Sequence, residues 1–143
     1  GVRLISVVLG ASDDETRSRE SQRLLSYGFR YYDTQTLFKS GEIIESGVKV
    51  WYGKEDFIDL TIKDNATITF PRGAKDNLKA KVSINDTLEA PISTGDELGK
   101  LEIVLDDETL LSVPLISVDE IQQGNIITRL LDWLVLFFTN LLS

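Results

Sequence analysis

The side chains that could do acid–base or metal chemistry here are mainly carboxylates, because the 143 residues contain no histidine and no cysteine. The neighbouring pairs Asp106/Asp107 and Glu55/Asp56 have the residue types of general acid–base catalysis. Both pairs lie in hydrophilic, turn-like stretches, so we interpret them as solvated turn residues. A zinc site built only from carboxylates is not expected. We therefore predict no metal site and no cofactor.

The remaining polar motifs carry little chemistry. Serine is common, but without histidine the most frequent way of activating it is missing. Pro71-Arg72-Gly73 could bind an anion, although this composition is more typical of a plain β-turn. Gly41 and Gly47 do not form a phosphate-loop pattern. The sequence by itself shows no catalytic constellation.

The formal net charge of −8 argues against nucleic acid as a partner. Residues 36–118 carry nine basic and fifteen acidic side chains, whereas residues 1–35 carry five of each. A nucleic-acid-binding protein shows a basic face that neutralises phosphates. No basic cluster of this kind is present.

The last 20 residues, Gly124 to Ser143, have the pattern of an amphipathic helix with a wide apolar face. Polar residues recur at steps of three and four along one narrow stripe, in which Leu136 is the exception. Arg129, Asp132 and a longest apolar run of only six residues argue against a spanning helix. We expect this helix to lie in a membrane interface. The predicted membrane-binding residues are Ile126, Ile127, Leu130, Leu131, Trp133, Leu134, Phe137, Phe138 and Leu141. Packing on the domain core or on a partner chain is the alternative.

The first 35 residues predict one strand and one helix. Residues 2–10 are aliphatic and β-branched and end in glycine, which indicates a buried strand. Ser12 and Glu15 have the spacing of a capping box, so a helix is expected from about residue 14 to 32. Gly28 is the point at which this helix could end or kink.

Residues 36–118 have the pattern of an antiparallel β-sandwich or barrel. Short runs of alternating polarity are separated by turn residues such as Lys63-Asp64-Asn65 and Asp106-Asp107, with no helix between them. The predicted strands cover residues 48–52, 57–62, 66–70, 78–84, 101–105 and 109–116.

An ordered series of segments resembles the low-molecular-mass penicillin-binding proteins of the 5/6 type, which are D-alanyl-D-alanine carboxypeptidases. The segments are RLISVVLGA (3–11), R-x-x-E-S-x-x-L-L (17–25), YGFRYYDT (27–34), VWYG (50–53), TFPRG (69–73), LKA (78–80), APISTGDELGKLEIVLDD (90–107) and VPLIS (113–117). The chain has no methionine and begins within an apolar run, so we expect it to be a piece of a longer protein.

The resemblance implies a mainly β fold in three parts. Residues 1–35 would be the final strand and helix of an α/β penicillin-binding catalytic domain. Residues 36–118 would form an antiparallel β-sandwich domain. Residues 119–143 would form an amphipathic membrane-anchor helix.

The resemblance also implies a function for the parent protein. The family's serine nucleophile and lysine base lie in an S-x-x-K motif, assisted by S-x-N and K-T-G, and the resemblance places all three upstream of this chain. The parent would remove the terminal D-Ala from peptidoglycan pentapeptides through an acyl-enzyme, and penicillins would acylate the same serine. Arg17 corresponds to a family arginine that binds the terminal carboxylate of the substrate, a role that suits a guanidinium group.

The implied location is the periplasmic face of the bacterial inner membrane, with this chain as stalk and anchor. The implied partners are the membrane surface and, through the catalytic part, the pentapeptide and β-lactams. The remaining half of the catalytic domain, or a second copy of this chain, would cover residues 1–35. The alternative is a non-catalytic β-module that binds a partner protein through a sheet edge or the apolar tail.

Overall fold

A computed structural model describes residues 3–142 of the chain. Gly1 and Val2, where the predicted first strand begins, and Ser143, the last residue of the predicted polar stripe, lie outside the described residues. In chain order the elements are α1 (Asp14–Tyr31), β1 (Tyr32–Phe38), β2 (Ile43–Trp51), β3 (Phe57–Thr61), β4 (Ala66–Pro71), β5 (Leu78–Ile84), β6 (Leu88–Glu89), β7 (Glu97–Leu105), β8 (Glu108–Ser117) and α2 (Ile126–Leu142).

The strands form two sheets, which confirms the predicted mainly β fold with one helix before it and one after it. The six-stranded sheet has the order β5-β7-β8-β3-β2-β6, and β1 pairs with β4 in a second, two-stranded sheet. All pairings are antiparallel except that of β2 with β6, where Val50 lies beside Leu88. We call the two sheets and the loops that join them the β-domain.

The core lies between the two sheets and follows from the period of two along the strands. On β4 the side chains of Ala66, Ile68 and Phe70 are buried, while the alternate residues face solvent. The six-stranded sheet contributes Leu60, Leu101, Ile103 and Leu115 to the same cluster. On the outer face, the hydroxyl groups of Thr34 and Thr69 on β1 and β4 are 2.6 Å apart, and those of Thr36 and Thr67 are 2.8 Å apart.

Strand β1 was not predicted. It crosses the domain boundary expected between residues 35 and 36, where the catalytic-domain segment was expected to end and the β-sandwich domain to begin. The polypeptide passes directly from α1 into β1 at Tyr32, and Asp33 pairs with Phe70. The sequence YDTQTLF has apolar side chains mainly at its end, so alternation gave no signal. Its position is set by β4, which is distant in sequence.

Helix α1 begins as predicted, but its N-cap is Asp13 rather than Ser12. A carboxylate oxygen of Asp13 accepts a hydrogen bond of 2.7 Å from the backbone N–H of Thr16, whereas the Ser12 hydroxyl donates to Asp13. These hydrogen bonds, the Thr16 N–H first, lower the pKa of Asp13 below its usual value of 3.8. The helix continues through Gly28, where a Cβ atom would lie 2.7 Å from Cδ1 of Leu4.

Residues 3–9 form no strand in this structure, so the prediction of a buried strand there is wrong for the chain as described. The segment packs beside α1 without pairing to either sheet. Ile5, Val7 and Leu9 are exposed by 76%, 74% and 89%. A strand needs backbone partners, and this segment pairs with none of the strands in residues 3–142.

Candidate membrane-binding surface

Helix α2 presents its apolar side chains to solvent. The nine predicted membrane-binding residues are all on this helix, with exposures from 37% for Leu134 to 82% for Ile126. Trp133 and Phe137 stack with their ring centroids 5.5 Å apart, and the ring of Phe138 contacts Phe137 edge-on at 5.7 Å. We call these nine residues, together with Val135 and Leu142, the apolar face. A contiguous exposed surface of this kind marks a site of interaction with a membrane or another protein.

The less exposed side of α2 carries Thr128, Asp132 and Leu136, at intervals of four residues. This spacing places all three on one side of the helix. Asp132 accepts a hydrogen bond of 2.7 Å from the backbone N–H of Tyr52, 80 residues earlier in the chain. The polar stripe therefore includes a specific contact to the end of strand β2. Leu136, the exception in the predicted stripe, lies on this half-buried side.

Two glycines allow the chain before α2 to approach the β-domain closely. A Cβ atom on Gly53 would lie 2.6 Å from Cγ2 of Ile121, and one on Gly124 would lie 2.9 Å from the carbonyl oxygen of Gly53. The backbone N–H of Gly124 donates to the carbonyl of Tyr52 at 2.7 Å. Tyr52 has a φ of 63°, in the left-handed region that non-glycine residues rarely occupy. We call Tyr52–Lys54, residues 121–124 and Asp132 the junction.

The anchor segment expected over residues 119–143 is divided in the structure. Helix α2 begins at Ile126, and the side chain of Asn125 accepts from the backbone N–H of Thr128 at 2.9 Å. Ile121, five residues earlier, is buried and forms a bridge to Ile92. The residues before the helix are thus part of the β-domain. The backbone groups of Ile121 and Ile92 hydrogen-bond to each other, and the Lys54 N–H donates to the carbonyl of Gln122.

Within residues 3–142 no helix has both the length and the hydropathy required to span a bilayer. Helix α2 has 17 residues, including Arg129 and Asp132. Its length at 1.5 Å per residue is about 25 Å, shorter than the hydrocarbon core of a typical bilayer.

The residue predicted to bind substrate, Arg17, lies in the first turns of α1. Its Nη1 atom is 2.9 Å from Oδ1 of Asp14, and its side chain is 55% exposed. An ion pair this exposed contributes little to stability, so the guanidinium group can exchange Asp14 for another carboxylate at low energetic cost. Arg17 and the apolar face belong to separate elements, α1 and α2.

The carboxylate pairs singled out from the sequence lie in exposed turns. Asp106 and Asp107 form the turn between β7 and β8, with φ values of 47° and 67°. Asp56 forms an ion pair of 3.2 Å with Lys49, and Glu55 is exposed. No group of three or more metal-ligating side chains is assembled anywhere in residues 3–142.

Arg72, in the predicted Pro71-Arg72-Gly73 turn, holds α1 against β4. Its guanidinium group donates to the carbonyl of Phe29 at 2.9 Å and pairs with Asp33 at 3.1 Å. Both contacts are made by Nη2 of Arg72, which joins the end of α1 and the start of β1 to the end of β4. The turn is therefore structural.

Two short spacings in the chain match pieces of the carboxypeptidase motifs but do not form a site. Ser46 and Lys49 have the S-x-x-K spacing on β2, and Ser83 and Asn85 have the S-x-N spacing at the end of β5. Three strands separate β2 from β5 in the sheet. Lys49 is engaged with Asp56, and its ammonium group lies 4.9 Å from the centroid of the Trp51 ring.

The structure is thus a β-domain followed by an exposed amphipathic helix. Comparisons with known proteins identify its family. Residues 32–123 match the family of the penicillin-binding protein 5 C-terminal domain. The chain belongs to this family, which confirms the resemblance seen in the sequence. The matched residues begin at β1 and end in the junction, where the structure also begins and ends the β-domain.

The relatives support the same assignment. The chain is 33% identical over 138 residues to the D-alanyl-D-alanine carboxypeptidase DacC of Escherichia coli and 34% identical over 138 residues to DacA of the same species. Each alignment covers 96% of this chain and 34% of the relative. The chain therefore spans about a third of the length of these relatives.

A solved structure has the same fold. The crystal structure of penicillin-binding protein 5 from Haemophilus influenzae superposes with a TM-score of 0.71 and 27% sequence identity. The superposition covers 76% of this chain and 32% of that one. The chain thus corresponds to the C-terminal part of a protein of the D-alanyl-D-alanine carboxypeptidase type.

Proposed function

We propose that this chain is the stalk and membrane anchor of a serine-type D-alanyl-D-alanine carboxypeptidase, on the periplasmic face of the bacterial inner membrane. The observation that carries the proposal is the apolar face of α2, which is exposed along the whole helix. Full burial of one large apolar side chain contributes about 1.5–3 kcal/mol, so a few inserted residues suffice for measurable binding. The β-domain would hold the catalytic part away from the lipid.

The proposed attachment is hydrophobic rather than electrostatic. Helix α2 carries one arginine and one aspartate, which leaves it with no net charge. Interfacial helices usually add Lys and Arg on their polar face to attract anionic lipid. Binding by α2 is therefore expected to depend weakly on salt concentration and on the anionic lipid content of the vesicles.

Flotation with vesicles tests the proposal. The full chain should float with phosphatidylcholine vesicles, whereas a chain truncated after Gly124 should stay in solution. The truncation keeps Ile121, which is buried, so the β-domain should retain its unfolding transition in urea. Equal flotation of the truncated and full chains would overturn the anchor proposal.

We also propose that the parent enzyme releases D-alanine through an acyl-enzyme on an upstream serine, with Arg17 binding the terminal carboxylate of the substrate. The exposed, exchangeable ion pair with Asp14 supports this role. In the intact enzyme, Arg17→Ala should weaken hydrolysis of peptides with a free terminal carboxylate, whereas the matched variant Arg19→Ala should not. Normal kinetics of Arg17→Ala on such peptides would remove Arg17 from the site.

The exposed aliphatic residues of segment 3–9 support a catalytic domain as its neighbour. Ile5, Val7 and Leu9 are exposed, whereas the alternate residues 4, 6 and 8 are half-buried, with Leu4 beside Gly28 of α1. A segment that is apolar on both sides is typical of a strand covered on both faces. The remaining part of the catalytic domain, or a second copy of this chain, would supply that cover.

The alternative of a β-module that binds a partner by its sheet edge has less support. Strand β5 is a free edge, but it carries Lys79 and Lys81, and charged residues on an edge oppose pairing with another chain.

A further inference from the structure

A cleft of about 460 Å³ lies between the first turns of α2 and the β-domain. One wall is apolar and consists of Ile126, Leu130 and Trp133 of α2. The other wall includes Tyr52 of the junction and Glu89 of β6, and Arg129 lines the cleft from the helix. The cleft thus combines one apolar wall with one cationic and one anionic side chain.

Neither charged group of the cleft has a partner within residues 3–142. No ion pair or side-chain hydrogen bond is formed by Glu89 or by Arg129. Asp132, three residues after Arg129, would be its usual helical partner. Oδ2 of Asp132 instead accepts from the Tyr52 N–H, and no ion pair joins Asp132 to Arg129 among the described residues. The junction therefore leaves the guanidinium group of Arg129 available to a ligand.

The apolar wall of the cleft is one part of the apolar face of α2. Ile126, Leu130, Trp133 and Phe137 follow one another at intervals of three and four residues, so they lie on one side of the helix. Trp133 and Phe137 are also in ring contact. A ligand with its polar end in the cleft could extend an apolar tail along this side.

We infer that the cleft binds the head group of a phospholipid that carries a primary ammonium group, with its phosphate at Arg129 and its ammonium at Glu89. A zwitterionic phosphoethanolamine group matches one guanidinium and one carboxylate in both charge and hydrogen bonding. Phosphatidylglycerol has no ammonium group and would leave Glu89 unpaired, and the quaternary ammonium of phosphatidylcholine has no hydrogen to donate. The inference depends on the proposed membrane attachment of α2.

Partition measurements with three kinds of vesicle test the inference. The vesicles contain phosphatidylcholine alone, phosphatidylcholine with an equal amount of phosphatidylethanolamine, or phosphatidylcholine with phosphatidylglycerol. The full chain should bind the phosphatidylethanolamine vesicles about three-fold more tightly than the other two, as expected for a partly exposed ion pair. Glu89→Gln should remove this preference.

Matched variants separate the head-group contact from general effects of charge and lipid packing. Glu108→Gln removes the same charge at the distant turn between β7 and β8, and it should keep the preference. Arg129→Gln should weaken binding to all three vesicles about three-fold, because every head group carries a phosphate. Lys81→Gln, on strand β5, is its control and should bind like the unchanged chain.

The outcomes distinguish this inference from the proposed function. If the full chain binds all vesicles without preference, or if Glu89→Gln keeps the preference, the head-group site is overturned while the anchor remains. If the full chain binds no vesicle, both are overturned. A preference lost in Glu89→Gln and kept in Glu108→Gln supports the site.

Discussion

The β-domain and helix α2 contain the same kinds of apolar residue in opposite surroundings. Leu101 on β7 has no exposed surface, whereas Leu131 on α2 is 57% exposed. The β-domain already has two sheets that cover each other, so its core needs no further element. The exposed apolar residues of α2 are therefore expected to contribute little to folding. We propose that they contribute instead to attachment of the chain to a membrane.

The largest expected effect comes from a matched pair of leucine truncations. Leu101→Ala should lower the free energy of unfolding by about 2–5 kcal/mol, because it leaves a cavity in the core. Leu131→Ala should change it by less than about 0.5 kcal/mol. Urea titration followed by circular dichroism measures both. A comparable loss from Leu131→Ala would mean that the apolar face is part of the folding core.

The second prediction concerns the junction, where the two regions meet. Asp132→Ala removes the hydrogen bond to the Tyr52 N–H, and hydrogen bonds to charged groups contribute about 1.5–3 kcal/mol. Hydrogen exchange of the Tyr52 amide should therefore accelerate about ten-fold or more. Asp119→Ala is the control, because Asp119 is exposed and outside the junction. Unchanged protection at Tyr52 would show that Asp132 does not hold the helix.

A smaller gain in stability is expected in the turn between β7 and β8. Asp107 has a φ of 67°, a conformation that glycine adopts more readily than aspartate. Asp107→Gly should raise the free energy of unfolding by about 0.5–1 kcal/mol without altering vesicle binding. Asp64→Gly, in a turn without positive φ, should give no gain. A change in vesicle binding by Asp107→Gly would contradict the separation of the two regions.

The smallest expected effect is a difference between the two helices in how their N-terminal fraying depends on pH. The hydrogen bonds from Thr16 and Ser12 lower the pKa of Asp13, so its capping contribution is complete above its usual value of 3.8 and is lost as the pH falls through the lowered pKa. Asn125, which caps α2, does not titrate. Residue-resolved chemical shifts should therefore show fraying of α1, but not of α2, at acid pH. Asp13→Asn should remove the pH dependence, and its persistence would refute the assignment.

Most of the fold could be predicted from local patterns. Alternating or aliphatic runs located β3, β4, β5 and β8 closely, and on β4 the alternation matches burial, with Ala66, Ile68 and Phe70 inside and Thr67 and Thr69 outside. The recurrence of polar residues at steps of three and four located α2, but the sequence left open whether its apolar face packs on the core or lies outside it. Both are properties of a segment by itself.

The junction could not be predicted, because it depends on contacts between distant residues. The left-handed Tyr52 and its hydrogen bond to Asp132 join residues 80 positions apart. From the sequence, Asp132 was one polar residue in a stripe. Gly53 beside an aromatic residue was the one local signal of a close backbone approach.

Segment 3–9 shows the opposite case, in which a strong local pattern gives no strand. Its aliphatic run predicts a buried strand, but pairing requires a neighbour with free backbone groups. The segment pairs with no strand of the described residues, and we propose that the remaining part of the catalytic domain is the neighbour to which its pattern is suited. Arg17 is comparable, because its proposed role needs a substrate and a catalytic serine that lie elsewhere.

The depth of Trp133 in a bilayer tests the central claim most directly. With Trp51 replaced by Phe, Trp133 is the sole tryptophan, and brominated lipids quench its fluorescence according to depth. We predict that bromines near the head groups quench it most strongly, since an interfacial helix inserts only about 5–10 Å. No quenching, or strongest quenching by bromines at the bilayer centre, would contradict attachment of this chain through the apolar face of α2.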